Sequence, residues 1–112
     1  MKDDSVYLHH IIDAIEKILE YTNGLDDKEF LTNNLVQDAV IRQLEVIGEA
    51  AKLLSNLTKQ KLEDIPWKDI SGMRDKLIHG YFGVDLGAVW QTVQDDLPKL
   101  EKAVKPLLED SS

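Results

Sequence analysis

The sequence predicts an all-α protein: an antiparallel bundle of four or five helices, one of them short. Apolar residues recur three or four positions apart along almost the whole chain, and no run alternates with period two for long enough to indicate a strand. Helix-ending signals at Asn23-Gly24, Ser55-Asn56 and Gly80 divide the chain into amphipathic segments. Because the connections between these segments are short, consecutive helices should pack side by side and antiparallel.

The 112 residues are expected to form one domain, residues 1–112. A chain of this length can bury roughly two thirds of its unfolded surface in a single core. The absence of cysteine excludes disulfides, thiolate nucleophiles and cysteine metal sites, and it fits a reducing compartment. No signal peptide and no membrane-spanning run is recognised, so we expect a cytoplasmic protein without a membrane partner.

The first predicted helix begins between Asp3 and Ser5 and ends at Asn23-Gly24. Asp26 and Glu29 have the spacing of a capping box and predict a short second helix that breaks or bends near Asn33-Asn34. The third helix is the most regular, because its apolar residues step by three or four and keep one seam facing a partner. That seam consists of Val36, Val40, Leu44, Ile47, Ala51 and Leu54.

A polar connection is predicted after Ser55-Asn56, and the next helix runs from about Pro66 to His79, since proline suits a first helical turn. Asp85 can cap the last helix, in which Pro98 predicts a kink or break after Asp95-Asp96. The apolar stripe of this helix is Leu86, Val89, Trp90, Val93, Leu97, Leu100, Val104 and Leu107.

Several polar groups share a helix face without defining a site. His9 and Asp13 are four residues apart, like two metal ligands, but two ligands without a third do not make a site. Glu45 and Glu49 are also four apart, yet the Glu-x-x-His companions of di-iron bundles are missing, so no metal is expected. Structural roles are predicted for the other candidates, His10, Trp67, Trp90 and Asp95-Asp96.

The segment around Arg74, His79 and Tyr81 is different. Arg74 is one of two arginines among thirteen basic residues, and it lies five residues before His79. On a regular helix Arg74 and His79 are about 140° apart, so they converge only if the helix frays at Gly80, if the arginine reaches round, or if a second copy contributes. The plain alternative is a surface arginine, a histidine at a helix end and a tyrosine closing the bundle.

Arg74-x4-His79-x-Tyr81 resembles the signature of the HEPN family, in the form found in its HepT branch. Arg42–Lys52 is similar to the segment of that branch that contains the sequence IGEA. Ile65–Ile70 resembles the approach to the signature, and Tyr81–Asp85 with Val89-Trp90 resembles the exit into the last helix. The resemblance therefore covers nearly the whole chain in order.

The resemblance implies a HEPN bundle that forms a homodimer and acts as a metal-independent endoribonuclease toxin. Arg74 and His79 would be catalytic, supported by Asp75, where this branch more often has Asn, and by Tyr81. The expected partner is an antitoxin, a nucleotidyltransferase of the MNT type, which would transfer AMP from ATP to Tyr81. No cofactor is expected for RNA cleavage, and ATP and Mg²⁺ are expected only for this partner.

These residue types suit RNA cleavage by the ribose 2′-hydroxyl. An imidazole such as that of His79 can act as base or acid near neutral pH, and the guanidinium of Arg74 offers a permanent charge and a fork of donors for phosphate oxygens. One histidine cannot be base and acid in the same step, so a dimer with two copies in one cleft would supply both. DNA lacks the attacking hydroxyl and should not be cut.

Two other classes of function remain open from the sequence. One is a non-catalytic HEPN module that binds a nucleotide or docks a nucleotidyltransferase, and the other is a helical dimerisation domain. The formal net charge of −8 predicts few phosphate contacts, salt-sensitive RNA affinity and no general binding to duplex DNA. The same acidic surface could attract a basic partner protein.

Overall fold

The structure, a computed structural model, describes residues 2–79 and 84–110, without the side chains of residues 2, 3, 74–76, 78, 79 and 110. These residues form seven α-helices and one π-helical turn and include no strand, which confirms the all-α prediction. In chain order the elements are α1 (Lys2–Thr22), α2 (Asp27–Thr32), α3 (Asn34–Leu53), α4 (Asn56–Lys61), α5 (Trp67–His79), α6 (Leu86–Gln91), the π turn (Thr92–Asp96) and α7 (Leu97–Asp110).

Helix α3 is the centre of the bundle. Helices α1 and α5 both pack along it, and α7 packs against α1. The seam predicted on α3 is confirmed, because Val40, Leu44, Ile47 and Ala51 are almost completely buried. The stripe predicted along the last helical segment also lies in the core through Val89, Val93, Leu97, Leu100 and Val104.

The N-terminal elements follow the sequence signals closely. Helix α1 ends at Thr22, and Gly24 adopts a positive φ of 80°, a conformation that glycine reaches without steric cost. The capping box of α2 is present: the Glu29 amide donates to the Asp26 carboxylate over 2.8 Å, and the Asp26 amide donates to the Glu29 carboxylate over 3.2 Å. The predicted bend occurs at Asn33, whose side chain caps α3.

Two boundaries near the N-terminus of α1 and after α3 differ from the prediction. Helix α1 already begins at Lys2, so Asp4 lies within the helix rather than at its start. The segment after Ser55, predicted as a polar connection, forms the short helix α4. Ser55 caps this helix by accepting a hydrogen bond from the amide of Thr58, a local signal that the polar composition obscured.

The carboxylate of Asp4 joins the two elements. Asp4 is 4% exposed and accepts hydrogen bonds from the Ser55 amide over 3.1 Å, the Ser55 hydroxyl over 2.5 Å and the Thr58 hydroxyl. Burial raises the pKa of Asp4, but these hydrogen bonds outweigh it, so the pKa lies below its ordinary value. Asp4 thus links α1 to the N-terminus of α4, and both of its carboxylate oxygens accept hydrogen bonds.

The irregularity predicted at Pro98 is a π turn and not a break in the helix. The amide of Leu97 donates to the carbonyl of Thr92, five residues earlier, and α7 continues from Leu97 through Pro98. Proline has no amide hydrogen and its ring collides with the carbonyl four residues before it. A wider turn directly before Pro98 accommodates that loss while the helix continues.

Within the described residues, no helix is long and apolar enough to span a membrane. The loosening of the chain predicted at Gly80 and Gly83 lies outside the described residues, as does Tyr81.

We expect Asp4→Ala to lower the free energy of unfolding by about 2 to 4 kcal/mol, because the hydroxyls of buried Thr58 and half-buried Ser55 and the Ser55 amide lose a charged acceptor. Urea unfolding at pH 7 followed by circular dichroism would measure the change. Asp13→Ala removes an exposed carboxylate from the same helix and should change the free energy by less than about 0.5 kcal/mol. Equal effects of the two substitutions would contradict a special role for Asp4.

The contribution of Asp4 to stability should depend on pH. Its folded-state pKa lies below the ordinary value of 3.8, so the ionised folded form is favoured and the contribution is fully present above that value. The contribution is lost as pH falls from 3.8 through the lowered folded-state pKa. The difference in unfolding free energy between wild type and Asp4→Ala should therefore be constant from pH 7 to pH 5 and narrow below pH 4. A difference that widens on acidification would refute this assignment.

Candidate active site

The helix that carries Arg74 and His79 is fixed at its N-terminal end. The indole nitrogen of Trp67 donates to the carbonyl of Leu62 over 3.0 Å, and Trp67 is 7% exposed. The amide of Ile70 donates to the carbonyl of Pro66 over 3.1 Å, so the helical hydrogen bonds begin at the predicted proline. The prediction of Trp67 as a packing residue is confirmed.

The same helix is held against the bundle by one face. Helix α5 packs along α3, and its residues Ile70, Met73 and Leu77 are half-buried against the core. Their spacing of three and four residues defines a single stripe along the helix. The residues of α5 that contact the core therefore follow the helical period that the sequence predicts.

Arg74, Asp75 and His79 lie on the last two turns of α5, and His79 is its final residue. The backbone is α-helical through His79, so the structure does not show fraying before Gly80. Five residues of regular helix separate the backbone positions of Arg74 and His79 by about 140° around the axis and about 7.5 Å along it. The backbone of one chain therefore does not place these two residues on a common face.

The other polar candidates form no comparable group. The Nδ1 atom of His9 lies 2.7 Å from the carbonyl of Ser5, and the ring of His10 contacts that of Tyr7 edge to face at 6.4 Å. Glu45 is half-buried and Glu49 is exposed. Among the side chains described, no three of the types that ligate metals lie close enough together to hold an ion.

The remaining predictions concern aromatic and acidic residues of the C-terminal half. Trp90 packs against Phe30 with ring centroids 5.0 Å apart, so α6 is joined to α2 and the prediction of a packing role is confirmed. Asp95 and Asp96 are exposed, as predicted. Asp95 accepts a hydrogen bond from the side chain of Gln91, one turn earlier.

A groove that the sequence did not reveal runs along α5. Its larger part, about 730 Å³, lies between α5 and the π turn with the start of α7, and buried Ile47 of α3 contributes to its lining. A smaller cleft of about 240 Å³ continues toward α6 and shares Met73, Ala88 and Thr92 with the larger part. We call the two together the α5–α7 groove. The pattern of apolar residues cannot show such a feature, because it does not indicate which apolar helix faces are covered by a neighbouring helix and which are left open.

Comparison with known proteins places the chain in a family. Residues 11–107, which include the Arg74-x4-His79 spacing, match the model of the HepT-like ribonuclease family. A protein of Thermococcus cleftensis named "Probable ribonuclease HepT" is 48% identical over 85% of this chain and 86% of its own. A candidate RNase of Caldanaerobacter subterraneus is 42% identical over 97% of both chains.

A further relative carries a second activity in its name. It is a gamma-glutamylcyclotransferase and candidate RNase of Methanocaldococcus jannaschii, 47% identical over 97% of this chain, and the present chain spans only 49% of its length. No solved structure matches the chain. The fold and these matches define a helical ribonuclease. The chain belongs to the HepT-like ribonuclease family, the HepT branch of HEPN proteins, which confirms the resemblance seen in the sequence.

Proposed function

We propose that this protein is a metal-independent endoribonuclease toxin in which Arg74 and His79 act on the RNA phosphodiester. The observation that carries the proposal is the Arg74-x4-His79-x-Tyr81 sequence in a chain that matches the HepT-like ribonuclease family over residues 11–107. The substrate is RNA, and the reaction needs no resident cofactor. An enzyme of this kind acts in the cytoplasm, where RNA is abundant.

The reaction is an internal transfer at phosphorus. The ribose 2′-hydroxyl oxygen attacks the adjacent phosphorus, the 2′-oxygen to phosphorus bond forms, and the bond from phosphorus to the 5′-oxygen of the next nucleotide breaks. A base takes the proton of the 2′-hydroxyl and an acid gives a proton to the leaving 5′-oxygen. The products are a 2′,3′-cyclic phosphate and a free 5′-hydroxyl.

Each residue of the motif has a role in this chemistry. The imidazole of His79 exchanges protons near neutral pH, and the guanidinium of Arg74 stabilises the charge that develops on the phosphate oxygens. Asp75 lies four residues before His79 on α5, the spacing at which a carboxylate can orient an imidazole on the same helix face. Asp75 is therefore a positioning residue in this proposal.

A homodimer would complete the site. One histidine cannot serve as base and acid in one step, and the regular backbone of α5 keeps Arg74 and His79 on different faces of a single chain. Two copies related by a two-fold axis would bring two arginines and two histidines into one cleft. The histidine of one copy would then act as the base and the histidine of the other copy as the acid.

Control would come from a nucleotidyltransferase of the MNT type, the antitoxin of the pair. The phenolic oxygen of Tyr81 would attack the α-phosphorus of ATP, the bond to the β-phosphate would break, pyrophosphate would leave, and a base would accept the phenol proton. ATP and Mg²⁺ serve this partner and not RNA cleavage. The attached AMP would put an anion and a bulky nucleoside beside Arg74 and His79, where they would exclude RNA.

Arg74→Ala and His79→Ala should each reduce RNA cleavage at least about a hundredfold, because each removes charge stabilisation or proton transfer. The measurement uses purified protein and RNA in EDTA, with mass spectrometry of the 2′,3′-cyclic ends. Arg42→Ala and His10→Ala are matched controls, since they remove an exposed arginine of α3 and an exposed histidine of α1. Cleavage unaffected by the first pair would reject the proposed site. Intact RNA with the wild type would favour the nucleotide-binding or docking module.

Tyr81→Phe should abolish adenylylation, because the phenolic oxygen that would accept AMP is lost, and should leave RNA cleavage measurable, because Arg74 and His79 remain. The test combines the protein with its nucleotidyltransferase, ATP and Mg²⁺, and follows both the mass of the chain and its cleavage of RNA. Tyr7→Phe and Tyr21→Phe remove the other two hydroxyls of this type and should leave the modification intact. Full suppression of Tyr81→Phe would mean that binding, not modification, controls the nuclease.

A further inference from the structure

The α5–α7 groove has an apolar wall and an apolar floor on a helical repeat. Ile70 and Met73 line the larger cleft from α5, and Leu77 continues this wall in the smaller cleft. Leu97 and Leu100 of α7, each 2% exposed, form the floor, and half-buried Ala103 lies one turn further. The wall residues of α5 are three or four apart, so they form a ridge that a helix can pack against.

The length of the groove fits a helix. Its lining extends along the chain from Asp64 to Leu77, and α5 alone spans most of that distance. At about 1.5 Å per helical residue this is on the order of 20 Å, or nearly four turns. A groove with an apolar wall and floor over that length matches the docking mode in which an amphipathic helix inserts its apolar face.

The charges around the groove decide the character of its occupant. Among the side chains that the structure describes, its lining contains four carboxylates, Asp64, Asp69, Asp85 and Asp96, and two lysines, Lys99 and Lys102. All four aspartates are exposed. An RNA backbone would be repelled by this excess of negative charge, whereas lysine and arginine flanking an apolar helix face would be attracted.

A second copy of this chain is disfavoured as the occupant by charge. Across a two-fold axis, the groove of one copy can receive a different surface of the other copy. Any such surface belongs to a chain with a net charge of −8, which would approach the four exposed aspartates of the groove. Charge therefore favours a different, basic chain.

We propose that the α5–α7 groove is the docking site for a basic amphipathic helix of a partner protein. The partner helix would place apolar residues at positions i, i+3 or i+4 and i+7 against Ile70, Met73 and Leu77, and its lysines or arginines beside the aspartates of the rim. Docking does not depend on the proposed ribonuclease activity. Its test is accordingly a binding measurement.

The probe is a fluorescent Leu/Lys amphipathic peptide of about 18 residues, five helical turns, and its twin carries Glu in place of Lys. The Leu/Lys peptide should bind the full chain by fluorescence anisotropy at low salt, and the Leu/Glu peptide should bind at least about tenfold more weakly. Chemical-shift changes in NMR spectra should include the amides of Ile70, Met73 and Leu100. Equal binding of the two peptides, or shift changes confined to other helices, would overturn the proposal.

Charge variants distinguish attraction of the peptide to the groove from attraction to the net negative charge of the whole protein. The triple variant Asp64→Asn, Asp69→Asn, Asp96→Asn should weaken Leu/Lys binding about tenfold, an effect that salt reduces. The control variant Asp13→Asn, Glu16→Gln, Glu20→Gln removes three exposed charges from α1 and should weaken it less than about threefold. Because all six residues are exposed, both variants should fold. Equal losses would show non-specific attraction and refute the site.

The apolar wall is tested by the double variant Ile70→Ala, Met73→Ala. This variant should bind the Leu/Lys peptide about tenfold more weakly at any salt concentration. Leu53→Ala with Leu57→Ala truncates two exposed side chains outside the groove lining and should have no effect. Sedimentation equilibrium of both variants tests whether the groove is instead an interface between two copies of this chain. Conversion of a dimer to a monomer by the groove variant alone would assign the groove to a second copy and overturn the proposal.

Discussion

The packing of α5 against α3 is the interaction on which the rest of the molecule depends. Helix α3 has a nearly unbroken apolar seam, so α1 and α5 can both pack along it. The stripe of α5 consists of half-buried residues, among them Met73 and Leu77, that face the core at one edge and the α5–α7 groove at the other. Helix α5 is packed against the bundle on one side only, and both functional proposals depend on this arrangement.

A series of polar contacts also links α5 to the other end of the sequence. The buried carboxylate of Asp4 accepts hydrogen bonds from Ser55 and Thr58 at the start of α4. Leu62 follows the last residue of α4, and its carbonyl accepts the hydrogen bond from the indole of Trp67, the first residue of α5. The short helix in the segment predicted as a polar connection thus links α1 to the helix that carries Arg74 and His79.

The two proposals use different parts of α5. The ribonuclease proposal uses its last two turns, where a regular backbone spreads Arg74 and His79 around the axis, and a second copy would supply the missing proton-transfer group. The docking proposal uses the apolar stripe, which would contact the apolar face of a partner helix, and the acidic rim, which would attract its basic residues. The strongly acidic balance of the chain, which disfavours broad binding of nucleic acid, would favour binding at this second surface. An enzyme that binds RNA through few contacts can carry that charge, since its catalysis depends on geometry at one phosphate.

The sequence by itself determined the long helices, several of their boundaries and the family. Periodicity identified the long helices, and local signals identified the capping box at Asp26, the cap at Asp85 and the end of α1 at Gly24, because each needs only residues within one turn of one another. The order of motifs around Arg74 and His79 identified the HepT branch. Only the tertiary structure decided that Asp4 accepts hydrogen bonds from Ser55 and Thr58, more than fifty residues away, that Pro98 is accommodated by a π turn, and that Met73 lines a groove. These features depend on contacts between segments far apart in the chain and on the local balance of backbone hydrogen bonds, and neither is encoded in the spacing of apolar residues.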